Sequence, residues 1–346
     1  MEKALKQLPM NKQLQVLKRL LKVLMKYKSS LALGFLFAFF AVVFDLIAPL
    51  IQRHLVDAYI LKEVFVMSKI LGYIALFILT NLLYTFFNYI STYTFHKIGN
   101  RITQTLRNDL FTKLQTMGMR YFDQTPVGST VSRVSNDTEA IQDMFVNVIS
   151  VILINVMMLV GIVFVMFRLN AKLAFYSMLF IPIAIFFMFL YQKISTPYYQ
   201  KTREKNSQIN TRLSESISGM KIIQEFNQQK RMISEFSDLN DEYYEASMMN
   251  MKINGLLLSP IIHILTALAL ALIMYLSGIE SLGNDLVSVG TVMAFVELIY
   301  RMFDPMFQIM DRLSIYQEAI VAADRVYTIM DHPEITPQQN TNANSK

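Results

Sequence analysis

The 346-residue sequence has no cysteine, no tryptophan, and only 11 glycines, 9 prolines and 4 histidines. The missing thiols exclude a disulfide scaffold, a thiolate metal site and a cysteine nucleophile. The scattered histidines suggest no metal site either. Scarce Gly and Pro leave little room for disorder or collagen-like repeats. Charge is also short: Asp, Glu, Lys and Arg make up 17% of the chain, against about a quarter in soluble domains. Apolar residues fill the space instead, at 53%, with 25 Phe and 23 Met. In a soluble protein the net charge of +6 would point to nucleic acid. In so apolar a chain it reads as cytoplasmic loops, and no nucleic-acid partner is expected.

The charges mark out membrane spans. Between Lys28 and Arg53 the only charge is Asp45. Lys69 and Lys97 bracket a second run, and Met144 to Phe167, Leu173 to Gln192 and Ile253 to Ile279 hold no Asp, Glu, Lys or Arg. Each run is about 20 residues or more, enough for a helix to cross a hydrocarbon core of about 30 Å. A sixth stretch, Leu286 to Met310, is apolar but carries Glu297, Arg301 and Asp304. It reads as an inner helix with a polar face. Ahead of the first span, Leu14, Leu17, Leu21 and Leu24 recur at helical spacing, opposite Lys18, Arg19, Lys22 and Lys26. That pattern suits a helix lying in the interface plane, and the apolar run comes too late for a signal peptide. The segments 1–28, 97–143, 193–252 and 302–346 hold 8, 6, 9 and 3 basic residues, and the connections on the other side hold five. Both termini are therefore expected in the cytoplasm.

The two long inner connections do not read as loops. Ile98, Ile102, Leu106, Leu110 and Leu114 repeat every four residues with Arg101, Arg107 and Lys113 between them. Ile209, Leu213 and Ile217, then Ile233, Phe236 and Leu239, continue in the same way. Such periodicity predicts helix, so the spans are expected to run on some 25 residues, about 35 Å, past the bilayer. Turn formers interrupt the pattern at Thr125-Pro126-Val127-Gly128 and at Ser218-Gly219. Asn136 followed by Glu139 predicts a capping box that starts the returning helix.

Particular residues now point to a family. The stretch Arg107-Asn108-Asp109-Leu110-Phe111, then Tyr121-Phe122-Asp123-Gln124-Thr125-Pro126-Val127-Gly128 and Ser132-Arg133-Val134-Ser135-Asn136-Asp137-Thr138, resembles the first intracellular loop of exporter-type ABC transporters. Ser214-Glu215-Ser216-Ile217-Ser218-Gly219-Met220-Lys221-Ile222-Ile223 resembles their second loop, and Asp324-Arg325-Val326-Tyr327 the tail of their sixth helix. The resemblance implies an all-α membrane protein. It would have an N-terminal elbow helix within 1–28, a six-helix transmembrane domain over 29–330 and a linker over 331–346. It implies coupling helices that dock into nucleotide-binding domains, one around Asp123, Gln124, Thr125, Pro126, Val127, Gly128 and Ser129. The other lies around Ser216, Ile217, Ser218, Gly219, Met220 and Lys221. It also implies a second half-transporter as partner, homo- or heterodimeric, and a bacterial plasma membrane. No G-x-x-x-x-G-K-[ST] phosphate loop occurs in the sequence. ATP and Mg are therefore expected on a nucleotide-binding domain outside this chain, which alone is not expected to hydrolyse ATP and carries no cofactor site.

Polar groups inside the apolar runs are the candidate substrate contacts. Glu297, Arg301, Asp304, Gln308 and Asp311 are spaced 4, 3, 4 and 3 apart. They span an arc of about 80° on a helix, which must face protein or water. The stripe reads either as part of a translocation cavity favouring cationic amphiphiles or as a structural Glu297–Arg301 ion pair; one arrangement can serve both. Pro305 predicts a kink. Asp45 near Pro49, Asn81, Asn88, Asn147, Asn155 and His263 are expected to face inward, with interhelical hydrogen bonding favoured over ligand contact. The function expected is export of hydrophobic or amphipathic compounds by alternating access. Three alternatives stand beside it: a lipid or lipid-linked flippase on the same fold, an ATP-independent channel or secondary carrier, and a purely structural membrane module.

Overall fold

The computed structural model describes residues 9–63, 66–282 and 287–333, and every regular element among them is a helix. Apolar sequence in a bilayer leaves the backbone no water to bond, so helices that satisfy their own N–H and C=O groups are the natural outcome. We number nine: α1 (Met10–Met25), α2 (Lys28–Ile60), α3 (Met67–Gln115), α4 (Met119–Gln124), α5 (Val127–Leu169), α6 (Ala171–Ser218), α7 (Met220–Glu225), α8 (Gln229–Ile279) and α9 (Val289–Met330). Helices α2, α3, α5, α6 and α8 are long and apolar enough to cross a membrane, so the chain is a multi-pass membrane protein. Helix α9 has the length, and Glu297, Arg301 and Asp304 dilute its apolar run. The first eight residues and the segment from 334 onward, most of the expected linker, lie outside the described residues.

The helices far outrun the bilayer. The 49 residues of α3 make a rod of about 74 Å, more than twice a hydrocarbon core. Irregularities are local. Single π-helical turns interrupt α2 at Val56–Ile60, α5 at Arg133–Asp137 and Met144–Ile149, and α8 at Asn254–Leu258. Pro49 and Pro305 sit inside α2 and α9, and each removes one backbone donor from its helix. The turn at Leu179 places Pro182 in the first turn of the segment Phe180–Ser218, where a missing N–H costs nothing.

The chain forms two compact units. The first joins residues up to Val165 with those from Asp304 onward. Within it α2 packs along α3: Ser91 Oγ donates to the Gly34 carbonyl at 3.0 Å, and Phe87 meets Phe40 and Phe44 at 5.4 and 5.5 Å. The stripe Ile98, Ile102, Leu106 and Leu110 is buried against Ile141, Met144 and Phe145 of α5 and Ile320, Ala323 and Val326 of α9. Helix α1 closes this core with Val16, Leu20 and Leu24 and leaves Leu14 and Leu21 exposed. The leucine stripe of the sequence is thus divided between two faces. In the second unit, Met166–Phe303, Leu173, Ala174, Leu265, Ala269 and Phe295 are buried. The returning helix of the first hairpin starts at Val127, after Pro126, with no side-chain cap. Asn136 does not start it: its Nδ2 donates to Ser132 Oγ at 3.3 Å inside a π turn.

Close packing in the first unit requires glycine at position 99, and Leu46 Cδ1 would approach a Cβ on Gly161 as closely, to 2.5 Å. A Cβ on Gly99 would lie 2.5 Å from Val146 Cγ2 and 3.2 Å from Gln142 Cγ. Overpacking of this kind typically costs about 1–3 kcal/mol. Gly99→Ala is therefore expected to lower the melting temperature in detergent, and Val146→Ala added to it to recover part of the loss. Gly72→Ala, facing open space inside α3, is the control and should raise melting slightly, because alanine favours helix.

Candidate functional site

The polar stripe and the helical tips are the two surfaces on which transport chemistry could rest. On α9, Arg301 Nη2 donates to Glu297 Oε1 at 2.8 Å, and both side chains are partly exposed. The i,i+4 spacing produces the pair directly. Glu297 and Arg301 belong to the second unit, and Asp304 and Gln308, both exposed, to the first. Of the other embedded polar groups, Asp45 is half-buried on α2, and Asn88 and His263 are exposed on α3 and α8. Asn81 Nδ2 donates to the Phe77 carbonyl at 2.8 Å and Asn147 Nδ2 to Asp143 Oδ1 at 3.0 Å, each along its own helix. Asn155 alone of these asparagines shows a bond between helices: its Nδ2 donates to Gln308 Oε1 at 3.2 Å. Buried Asn155 therefore holds one member of the α9 stripe in place. The side chain of Asp311 lies outside the described residues.

The tips carry the opposite chemistry, apolar groups facing out. At the first tip α4 ends on exposed Asp123 and Gln124. Thr125 is extended and Pro126 caps α5. There Val127 and Val131 are 70% and 60% exposed, and Gly128 and Ser129 complete the turn. At the second tip α6 ends at Ser218, Gly219 makes the break, and α7 runs from Met220 through Lys221 to Glu225. Asn227 closes it with φ 51°, a left-handed value that Asn tolerates. Ile217, Ile222 and Phe226 are 70%, 62% and 69% exposed. Isolated apolar side chains on a surface need no explanation. Here they sit where α5 begins, where α6 ends and along α7, at the ends of long rods.

The first hairpin is welded to the end of α9. Arg107 of α3 donates from Nε to Thr138 Oγ1 at 3.0 Å and from Nη2 to the Ser135 carbonyl at 3.1 Å, binding α3 to α5. Arg325 of α9 pairs with buried Asp137 at 3.4 Å. Lys113 Nζ donates to the His332 carbonyl at 2.7 Å, and the rings of Tyr121 and His332 meet edge-on at 5.5 Å. Sequence reasoning missed a second clamp on the same segment. Lys12 of α1 pairs with Asp324 at 2.7 Å, and Arg19 with Asp331 at 2.5 Å. The partners are seven residues apart in each segment, two turns, so one face of α1 lies along the C-terminal end of α9. The Arg19 guanidinium also sits 5.1 Å over the Tyr327 ring. Burial pushes the Tyr327 phenol up to about 12, partly opposed by Arg19. The second hairpin is joined by ion pairs instead: Lys205–Glu242, Arg212–Glu235 and, within α8, Arg231–Glu235 at 3.2 Å.

Long helical hairpins with apolar tips, on a multi-pass helical chain, define the membrane part of a transporter. Residues 31–306 match the family described as ABC transporter transmembrane region, and the chain belongs to that family. It is 36% identical over 335 residues to the putative ABC transporter ATP-binding protein exp8 of Streptococcus pneumoniae, covering 95% of this chain and 56% of that protein. To the multidrug resistance-like ATP-binding protein MdlB of Buchnera aphidicola it is 31% identical, covering 92% of this chain and 55% of that one. A more distant relative, the ATP-dependent lipid A-core flippase of Desulfotalea psychrophila, is 27% identical over 93% of the chain and 56% of its own length. The chain thus spans about half the length of the curated relatives it matches.

Removing Arg325 strands the buried Asp137 carboxylate, whose Oδ2 already lacks a hydrogen-bond partner. An unsatisfied buried group costs about 1–3 kcal/mol. Arg325→Ala is therefore expected to destabilise the chain more than the double variant Arg325→Ala/Asp137→Asn, as read from denaturant unfolding of the purified protein. Equal losses would show that the stranded Asp137 charge carries no penalty once Arg325 is removed.

Proposed function

We propose that this chain is the membrane domain of an ATP-driven exporter that moves hydrophobic or amphipathic compounds by alternating access. The observation that carries the reading is the pair of helical hairpins that run far past the spans and end in short helices with exposed apolar side chains. A rigid rod transmits a displacement along its length without bending, so movement at a tip is movement in the span. On this reading α4 with the start of α5, and the end of α6 with α7, are the coupling helices. They dock on nucleotide-binding domains that hold ATP and Mg. Helix α9 is the sixth span, and α1 is the elbow at the membrane surface. Both termini are cytoplasmic, in a bacterial plasma membrane.

The working unit on this reading is a dimer of half-transporters. The second hairpin supports it: Leu213, Ile217 and Ile233 of its helical stripes stay exposed within the chain, which leaves apolar surface for a partner. The α9 residues Glu297, Arg301, Asp304 and Gln308 are the proposed substrate-facing surface, its acidic groups favouring cations. Asp45, Asn81, Asn88 and His263 are proposed contacts on their own helices. The Glu297–Arg301 pair is compatible with this role, because a pair at the edge of an aqueous path satisfies both charges between turnovers. The relative named as a lipid A-core flippase supports a second reading, in which a lipid or lipid-linked molecule is the cargo.

The test uses the full transporter, this chain with its nucleotide-binding domain, in inverted membrane vesicles. ATP is expected to drive accumulation of a cationic dye. Val127→Asp/Val131→Asp should abolish accumulation while ATP binding persists, and Glu297→Gln/Asp304→Asn should reduce it about tenfold, the equivalent of about 1.4 kcal/mol. Strong ATPase stimulation by one native lipid, with none by dyes, would transfer the proposal to the flippase reading. Ion flux through the 346-residue chain reconstituted alone would overturn it in favour of a channel.

A further inference from the structure

The charges of α1 divide into two sets, and only one is spent inside the protein. Around the helix, at about 100° per residue, four sectors follow in order. Val16, Leu20 and Leu24 are buried in the core of the first unit. Next come Lys12 and Arg19, paired with Asp324 and Asp331. Beside them runs a row of Lys18, Lys22 and Lys26, spaced by four and exposed, with no ion pair among the described residues. Last come Leu14, Leu21 and Met25, which are 50%, 40% and 61% exposed. A lysine row with no ion pair among the described residues, bordered by an exposed apolar edge, is a surface open to an external occupant.

The chain itself identifies the occupant. Only Lys26 and Tyr27 separate α1 from α2, whose apolar span follows at once. That short connection holds the C-terminal end of α1 beside the start of that span. A helix so placed inserts its apolar edge among acyl chains and presents its cations to headgroup phosphates. Because the lysines have no carboxylate partners among the described residues, charge complementarity selects anionic over zwitterionic lipid. We propose that the Lys18, Lys22 and Lys26 face of α1 is a docking surface for anionic phospholipid headgroups. The neighbouring sector grips Asp324 and Asp331, so bound lipid adds negative charge beside the clamp that holds the exit of α9. This inference rests on the membrane character of the chain and not on what the chain exports.

The experiment is native mass spectrometry of the intact chain in detergent micelles titrated with phosphatidylglycerol or with phosphatidylcholine. The wild-type chain is expected to retain phosphatidylglycerol preferentially. Each lysine neutralised in K18Q/K22Q/K26Q should weaken that retention about fivefold. The variant K18R/K22R/K26R should keep it, which separates lost charge from lost folding. K201Q/K221Q/K230Q, the same charge removed from the second unit, should leave it unchanged. Equal retention of both lipids by the wild-type chain would overturn the proposal. So would unchanged retention in the glutamine variant, or equal loss in the two neutralised variants.

Discussion

A peptide group in hydrocarbon has no water to bond, and each one left unsatisfied costs several kcal/mol. The architecture of this chain follows from that constraint. It makes every span a helix. Once a helix of this kind leaves the bilayer, its apolar repeat carries it on, through Asn100 and Asn108 of α3 and Pro197 of α6. The rods therefore continue to Thr116, Gly219 and, from the other side, Gln228. Stiffness demanded by the lipid is then available outside it. The proposed coupling role uses this stiffness and needs no special motif beyond an apolar tip.

Rods alone would splay, and the two hairpins solve this differently. The first is packed: a buried apolar stripe on α3 meets α5, α9 and α1, and charged side chains lock its rim. The end of α9 is held there by α1, α3, α4 and α5 together. Force applied at α4 is thus shared with the segment that leaves the domain. The second hairpin has little buried apolar surface of its own beyond Ala246 and Ile253, and ion pairs bridge it. Exposed pairs contribute little stability, so this hairpin needs an external surface more than the first does.

The sequence revealed most of this scaffold because lipid exacts a coarse, one-dimensional code. Runs without charge mark spans, and the four-residue repeat from Ile98 to Leu110 marks the buried stripe of α3. The interruptions at Pro126 and Gly219 could be read from turn chemistry. What stayed hidden depends on which residues meet. Lys12 and Asp324 are 312 positions apart, and no local pattern announces that pair. The amide of Asn81 bonds its own helix, a choice set by rotamer and not by residue type. Asn136 and Glu139 spell a capping box, yet the helix is already under way when it reaches them. On α1 two apolar sectors alternate with cations, so the obvious leucine stripe mixed a buried face with an exposed one. The Glu297–Arg301 pair was legible because i,i+4 is a local distance. The Asn155–Gln308 bond was not, because it spans two helices.

The claim on which all of this rests is that α3 is one rigid rod from bilayer to tip. The absence of native cysteine makes it directly measurable. Spin labels at Leu82→Cys and Phe111→Cys, both exposed positions on α3, can be placed in the chain reconstituted in lipid bilayers. Pulsed electron paramagnetic resonance should return a single narrow distance of about 43 Å, the length of 29 residues of continuous helix. A broad or two-peaked distribution, or a distance well short of that value, would mean that α3 bends between membrane and tip, and the lever account would fail.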